Sequence, residues 1–200
     1  MDSFFLVRLL LSFLIGSIPF AVVAMWGTGI DITKVGSRNP GFNNVLRVAS
    51  KGRALVALVG DMSKGYLALV ALSRPADSPA VLWSFGLAAV LGHCFTPWLR
   101  FRGGKGVATT TGVLFFLDWK LAFAGGLLYP LFRVIGRRLG WAQEGAIASL
   151  IMLGAVTALI LALRGTASGL FALGALTVVV LRHTANLRDV LFGKKAQAGT

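Results

Sequence analysis

The stretch at residues 4–26, FFLVRLLLSFLIGSIPFAVVAMW, is apolar or small at nearly every position and long enough to cross a bilayer as a helix. In hydrocarbon no water is available to backbone N–H and C=O groups, so a segment placed there must satisfy them within itself, and a helix does so. Further runs of this kind occupy 54–72, 79–99, about 105–118, 119–137, 144–163 and 166–183. The expected fold is therefore all-α, a polytopic transmembrane helical bundle of seven helices formed by residues 1–200 as one domain. The run at 105–118 is short enough to be broken or tilted, and its boundary with 119–137 also admits five or six spans. The chain is 56% hydrophobic and only 14% charged, more apolar surface than a soluble domain can hide. No small-residue cleavage site follows residues 4–26, which reads as a first span with Arg8 near its outer end able to snorkel. No tandem repeat, low-complexity segment or long linker divides the chain, and the terminal KKAQAGT reads as a frayed tail.

Charge sets the orientation. Lys and Arg number 20 against 7 Asp and Glu, a net +13. Such an excess can signal nucleic acid, but here the cations fall in short loops between apolar runs. Loop bias and anionic lipid or phosphate ligands explain that placement, and no nucleic-acid partner is expected. With the N-terminus outside and the C-terminus cytoplasmic, fifteen basic residues face inward: Lys34, Arg38, Arg47, Lys51, Arg53, Arg100, Arg102, Lys105, Arg133, Arg137, Arg138, Arg182, Arg188, Lys194 and Lys195. Three, Arg74, Lys120 and Arg164, face outward. The bias follows the positive-inside rule and predicts a multi-pass membrane protein with these loops in the cytoplasm.

Polar residues that persist among apolar runs narrow the chemistry, since a charge in hydrocarbon costs roughly 2.5–3.5 kcal/mol on insertion scales and needs a partner or a task. In FRGGKGVATTTG, residues 101–112, Lys105 stands among Gly103, Gly104 and Gly106, a composition that lets backbone N–H groups and an ammonium converge on an anion. The stretch DITKVGSRNPGFNNVLR supplies Gly36, Ser37, Asn39, Gly41, Asn44 and Arg47, a set suited to an oxyanion, although an ordinary Gly/Asn turn would read the same way. Asp61 and Lys64, three apart, share a helix face; they form either an internal ion pair or the border of a polar pocket with Lys64 near an anion. His93 is either a hydrogen-bonded packing residue or part of the site that follows it. His183 and Asn186 are one turn apart and can point the same way, while Arg182 and Arg188 read as a solvated basic helix end. Cys94 has no second cysteine to pair with and reads as a small packing residue.

Several familiar chemistries are excluded. Lys105 is followed by Gly106 rather than Ser or Thr, with no glycine at the P-loop spacing before it. The two histidines lack the cysteine and carboxylate company of a zinc site, so no metal is expected. The H-x4-D dyad of many acyltransferases is also missing: the fifth residue after His93 is Trp98 and after His183 is Arg188, with Asp189 one step too late.

Together GSIPF (16–20), GSRNPGFNNVLR (36–47), GDMSKG (60–65), GHCFTPWLRFRGGKGVAT (92–109) and RHTANLRDVLFG (182–193) resemble the bacterial PlsY family, in order and spacing over nearly the whole chain. The resemblance implies a seven-helix acyltransferase of the bacterial inner membrane with a cytoplasmic active site. It implies transfer of a fatty acyl group from acyl phosphate to the 1-hydroxyl of glycerol 3-phosphate, giving lysophosphatidic acid and phosphate. Neither a metal nor coenzyme A nor an acyl carrier protein is implied, so no cofactor is expected; the partners are the two substrates and membrane lipid, and the protein is expected to be a monomer. Carried over by motif, Ser37, Asn39, Gly41, Asn44 and Arg47 match the first phosphate-binding loop, Lys105 with its three glycines the glycine-lysine loop, and His183 with Asn186 the C-terminal polar pair. The expected catalytic set is Ser37, Arg47, Lys105, His183 and Asn186. Gly36, Asn39, Gly41, Asn44, Lys64, His93, Gly103, Gly104, Gly106 and Ser149 are expected to bind substrate. Arg38 and Phe42-Asn43 replace a glycine and an Ala-Thr pair of the family pattern, and Ala146 with Ser149 stands for a serine pair.

Acyl phosphate is an activated mixed anhydride whose leaving group needs no strong acid. Positioning two phosphorylated molecules and stabilising the departing phosphate would then suffice. A phosphate or organophosphate transporter and a non-catalytic lipid-binding membrane protein are the alternative readings, though no paired halves of the transporter kind are visible.

Overall fold

Pro19 breaks the first apolar run in two. A computed structural model describes residues 4–193, so the expected frayed tail at 194–200 lies outside the described residues. Helices α1 (Phe5–Ser17) and α2 (Phe20–Ala24) flank the proline, which has no N–H to carry the helical ladder through. Other segments satisfy the carbonyls of this break: Lys64 Nζ donates to Ile18 at 2.7 Å and Thr96 Oγ1 to Ser17 at 2.6 Å. Arg53 caps the end of α2 through the carbonyls of Ala24 (2.6 Å) and Trp26 (3.0 Å).

A short α3 (Phe42–Val48) precedes the long α4 (Lys51–Leu72), whose N-cap Ser50 accepts the Arg53 N–H at 3.3 Å. Ser78 and Pro79 start α5 (Pro79–Cys94), a cap followed by a residue whose missing N–H costs nothing there. After a turn at Pro97–Leu99, α6 (Val107–Leu117) and α7 (Trp119–Arg138) share Asp118, which ends one helix and accepts from Leu121 N of the next at 3.2 Å. The chain closes with α8 (Glu144–Arg182) and α9 (Thr184–Phe192), and no strand occurs among the described residues.

Helix α8 is a hairpin. Gly165 takes φ 82 and ψ 174 inside it, and a Cβ on Gly169 would meet the Cα of Leu161 at 3.0 Å. Eight residues of straight helix would separate those two by about 12 Å, so the halves fold back side by side. The expected spans 144–163 and 166–183 correspond to these halves, and the break falls between them.

Among the described residues four stretches are long and apolar enough to cross a membrane: Phe5–Ala24, Lys51–Leu72, Pro79–Leu99 and Glu144–Arg182, with Val107–Leu117 apolar but shorter. Large apolar residues such as Leu6, Leu55 and Leu163 are exposed on their outer faces, as is Leu127 on α7, as a lipid-facing surface requires. Inside, small residues let backbones touch. A Cβ on Gly16 would overlap Ala89 and one on Gly92 the Phe13 carbonyl, which locks α1 to α5 from both sides. Gly65 against Thr109 and Gly112 against Met62 join α4 to α6 in the same reciprocal way.

Arg8 departs from expectation. Rather than snorkelling it is 5% exposed, donating to the Leu72 carbonyl at 2.8 Å and to Asp77 Oδ1 at 3.0 Å, with its guanidinium over the Phe85 ring. A guanidinium drawn into the packing needs acceptors, and the α4–α5 turn supplies them. At the α6–α7 junction Arg164 pairs with Asp118 in a similar clip, Nε to Oδ2 at 2.7 Å.

Candidate active site

The glycine-lysine loop lies back along the end of α5. Arg100 and Phe101 take left-handed φ values of 53 and 62, turning the chain so that Gly103 N donates to the Cys94 carbonyl and Gly104 N to the His93 carbonyl, both at 3.1 Å. A Cβ on Gly103 would overlap the His93 carbonyl, and one on Gly104 the His93 imidazole. These two glycines therefore serve close approach, and their N–H groups are committed to α5 rather than aimed at an anion, as the sequence had suggested. From the opposite side Arg182 donates to the carbonyls of Gly103 (2.7 Å) and Gly104 (3.1 Å), with its guanidinium 5.5 Å from the centre of the Phe95 ring. The expected solvated helix end is, at Arg182, a half-buried clamp on the loop.

Held this way, Lys105 projects toward the junction of α8 and α9. Its Nζ makes a short hydrogen bond to Asn186 Oδ1. Asn186 Nδ2 donates to Gln143 Oε1 at 2.7 Å, and Gln143 Nε2 to Asp189 Oδ2 at 3.2 Å. His183, between the two helices, is 2% exposed. Its Nδ1 lies 2.8 Å from the Val179 carbonyl, which can only accept, so Nδ1 carries the proton and neutral His183 keeps a lone pair on Nε2. That atom is 3.4 Å from Ser149 Oγ, which also reaches the Ala146 carbonyl at 2.8 Å. The structure thus brings Lys105, His183, Asn186 and Ser149 together, and it adds Gln143, Asp189 and Arg182.

The loop before α3 is organised by Asn44, 1% exposed. Its Oδ1 accepts from Ser37 N at 2.8 Å and its Nδ2 donates to the carbonyls of Ile32 (3.1 Å) and Val35 (3.0 Å). Both ends of its amide are thus engaged by the loop's own backbone, so Asn44 shapes the loop. Gly36 (φ 56) leaves room for the Asn44 amide, and Arg38 takes φ 59 where the family pattern carries a glycine. Ser37, Arg38 and Arg47 are exposed; Asn39 and Gly41 are half-buried, the Gly41 N–H donating to the Asn39 carbonyl at 2.9 Å. Asn43 Nδ2 ties α3 to Tyr129 of α7 at 3.3 Å.

His93 packs its imidazole against Gly104, and Lys64 is linked to it through Asp61. Lys64 Nζ is 2.7 Å from Asp61 Oδ1 and His93 Nδ1 is 3.4 Å from the same oxygen, with side-chain exposures of 2%, 2% and 6% for Asp61, Lys64 and His93. Asp61 and Lys64 form an internal ion pair, and His93 joins it. Cys94 is fully buried beside it.

The site carries uncompensated positive charge. Burial, with the nearby charges of Arg182 and Arg47, pushes the Lys105 ammonium down to about 8. Among the described residues no carboxylate pairs directly with Lys105, Arg47 or Arg182. Gln143 escaped sequence reasoning because it meets Asn186 and Asp189 across more than forty residues, and nothing local marks it. The polar block around His183 contained Arg182 and Asp189, but only rotation of the helices shows which way each points.

Fold and site define a polytopic helical membrane protein with a cationic, histidine-bearing polar cluster where α8 meets α9. A family profile described as glycerol-3-phosphate acyltransferase matches residues 6–193. A glycerol-3-phosphate acyltransferase of Aromatoleum aromaticum is 37% identical over 196 residues, covering 98% of this chain and 97% of the relative. One from Myxococcus xanthus is 42% identical over 166 residues, covering 82% and 86%. The crystal structure of PlsY, an integral membrane glycerol 3-phosphate acyltransferase, in its glycerol 3-phosphate form superposes with a TM-score of 0.84 at 30% identity, covering 98% of this chain and 96% of that one. Its lysophosphatidic acid form gives 0.83 at 29%. The chain belongs to the glycerol-3-phosphate acyltransferase family.

Proposed function

We propose that this protein transfers a fatty acyl group from acyl phosphate to the 1-hydroxyl of glycerol 3-phosphate, releasing lysophosphatidic acid and phosphate. The observation that carries the reading is the unneutralised group of Lys105, Arg47 and Arg182 beside a histidine whose Nε2 lone pair is free to accept. Lys105, Arg47 and Ser37 hold phosphate oxygens, with Gly36, Asn39, Gly41 and Asn44 shaping the Ser37 loop and Gly103, Gly104 and Gly106 the Lys105 loop. Asn186 holds Lys105, and His183 Nε2, backed by Ser149, accepts the hydrogen bond of the substrate hydroxyl and aligns its oxygen on the acyl carbon. The new ester C–O bond forms as the anhydride C–O bond breaks, the electron pair leaves with phosphate, and the hydroxyl proton ends on that phosphate. Alignment and cationic stabilisation of the leaving group supply the acceleration, which suits an activated donor and a chain without an H-x4-D base. Lys64 and His93 act from behind the loop, outside contact with substrate.

The reading includes a topology of seven crossings: α1 with α2, then α4, α5, α6, α7 and each half of α8. The N-terminus lies outside and the site faces the cytoplasm of a bacterial cell with the protein in its inner membrane, as a monomer. The fifteen-to-three basic bias supports this. So does the alternation of crossings, which puts the Arg8–Asp77 and Arg164–Asp118 clips at the end opposite the site. Purified protein in liposomes should form lysophosphatidic acid from palmitoyl phosphate and labelled glycerol 3-phosphate. Efficient turnover with palmitoyl-coenzyme A would overturn the donor assignment, and uptake or binding without product would overturn the enzyme reading. Cysteines placed singly at 36–53 and 100–106 should label only from the cytoplasmic side; labelling from outside would reverse the topology.

A further inference from the structure

Two carboxamides in series connect the nucleus of the site to a carboxylate outside it. Asp189 offers only acceptors and the Lys105 ammonium only donors. Gln143 Nε2 donates to Asp189 at 3.2 Å, which turns Gln143 Oε1 toward Asn186 Nδ2 at 2.7 Å and leaves Asn186 Oδ1 for Lys105. A lone carboxamide can present oxygen or nitrogen with nearly the same shape. A line of two between an acceptor-only end and a donor-only end has a single consistent polarity. Gln143 reaches its place from a left-handed backbone (φ 60) at the N-cap of α8, a conformation rare for a residue with a side chain. Such conformations persist where the surroundings enforce them, and they collect at functional sites.

We propose that Gln143 and Asp189 are positioning residues of the glycerol-3-phosphate site, acting through Asn186 to keep its oxygen on Lys105 and so hold the ammonium charged and aimed. The inference rests on the function just given. The other charged or titratable groups around Lys105 are Arg47 of α3, Arg182 of α8 and His183 between α8 and α9; the two guanidiniums have no acceptor to offer, and the hydrogen bond that Lys105 makes goes to Asn186. The relay is thus the source of the acceptor that opposes their repulsion.

The test uses the full chain purified in detergent, with Gln143→Ala, Asp189→Asn, the double variant and Asp189→Glu. The pH dependence of Lys105 acetylation by acetic anhydride, read by mass spectrometry, follows the ammonium without requiring turnover. Each single substitution should lower the midpoint of that titration, the double variant should lower it no further, and Asp189→Glu should restore it. In turnover, KM for glycerol 3-phosphate should rise by roughly fivefold in the single variants, with a smaller change in kcat, as loss of one hydrogen bond predicts. An unmoved Lys105 midpoint, or single effects that add in the double variant, would overturn the relay. A wild-type protein that makes no lysophosphatidic acid would instead overturn the function, while the acetylation result still decides the relay.

Discussion

Two polar clusters adjoin the Gly103–Gly104 loop, through His93 and through Arg182, and they differ in whether their charges close on themselves. In Asp61, Lys64 and His93 the carboxylate meets the ammonium at 2.7 Å and the imidazole at 3.4 Å, and Lys64 also donates to Ile18 where Pro19 breaks the helix. In Lys105, Arg47 and Arg182 the cations outnumber their partners, and the nearest carboxylate of the network, Asp189, acts through two amides. The first cluster resolves an architectural problem, a helix break beside buried charge. The second holds a potential that an incoming anion must complete. Charge thus marks construction where it is buried and matched, and binding where it is partly exposed and left in excess.

The largest effect is expected at Asp61. Removing one partner of a matched buried pair leaves the other uncompensated, so Asp61→Ala should cost about 3–5 kcal/mol of stability. Thermal unfolding in detergent checks this, and an unchanged Tm would deny the cluster its architectural role.

Lys105→Ala should act in the opposite manner. Its folded Tm should hold or rise as surplus positive charge is removed, while the rate with acyl phosphate falls by roughly a hundredfold, as loss of a preorganised donor commonly causes. Lys105→Arg should also be poor, since a planar fork does not reproduce a point charge in this tight loop. Near-normal kinetics for Lys105→Ala would refute its role on the leaving phosphate.

A pH series sharpens the same contrast. Lys105 titrates near 8 when folded and at 10.5 when unperturbed, so between those values the unfolded chain binds more protons. Its contribution to stability therefore grows as pH rises through that window, while its charge, and with it phosphate binding, is lost. KM for glycerol 3-phosphate should rise about tenfold between pH 7 and pH 9, the ratio for one proton titrating near 8. A flat profile would remove Lys105 from phosphate binding.

The smallest effect belongs to Arg102, exposed and outside the glycine core. Arg102→Ala should leave kcat/KM within about threefold, the scale of an exposed charge contact. A loss matching that of Lys105→Ala would extend the cationic group to the loop's outer edge.

The sequence by itself determined the helical class, the positions of the apolar segments and the residues able to meet phosphate. A bilayer is a slab, so crossing it imposes a length and an apolarity that a one-dimensional reading of 4–26 or 144–163 detects directly. The reversal near residue 165 was legible for the same reason, and so was the grouping of Lys105 with His183 and Asn186 through motifs that resemble a family. Only the tertiary structure decided how those residues divide their work. Spacing placed Lys64 and His93 one by one, and only helix rotation brings both onto the same Asp61 oxygen. Composition made Gly103 and Gly104 anion donors, whereas their N–H groups are bound to α5 and their missing side chains admit His93. Arg182 and Gln143 gained their roles from partners far along the chain. Hydropathy depends on residue identity along a line, while hydrogen-bond partnership depends on the angle at which packed helices present each polar atom, and that angle exists only once the glycine contacts have set the bundle.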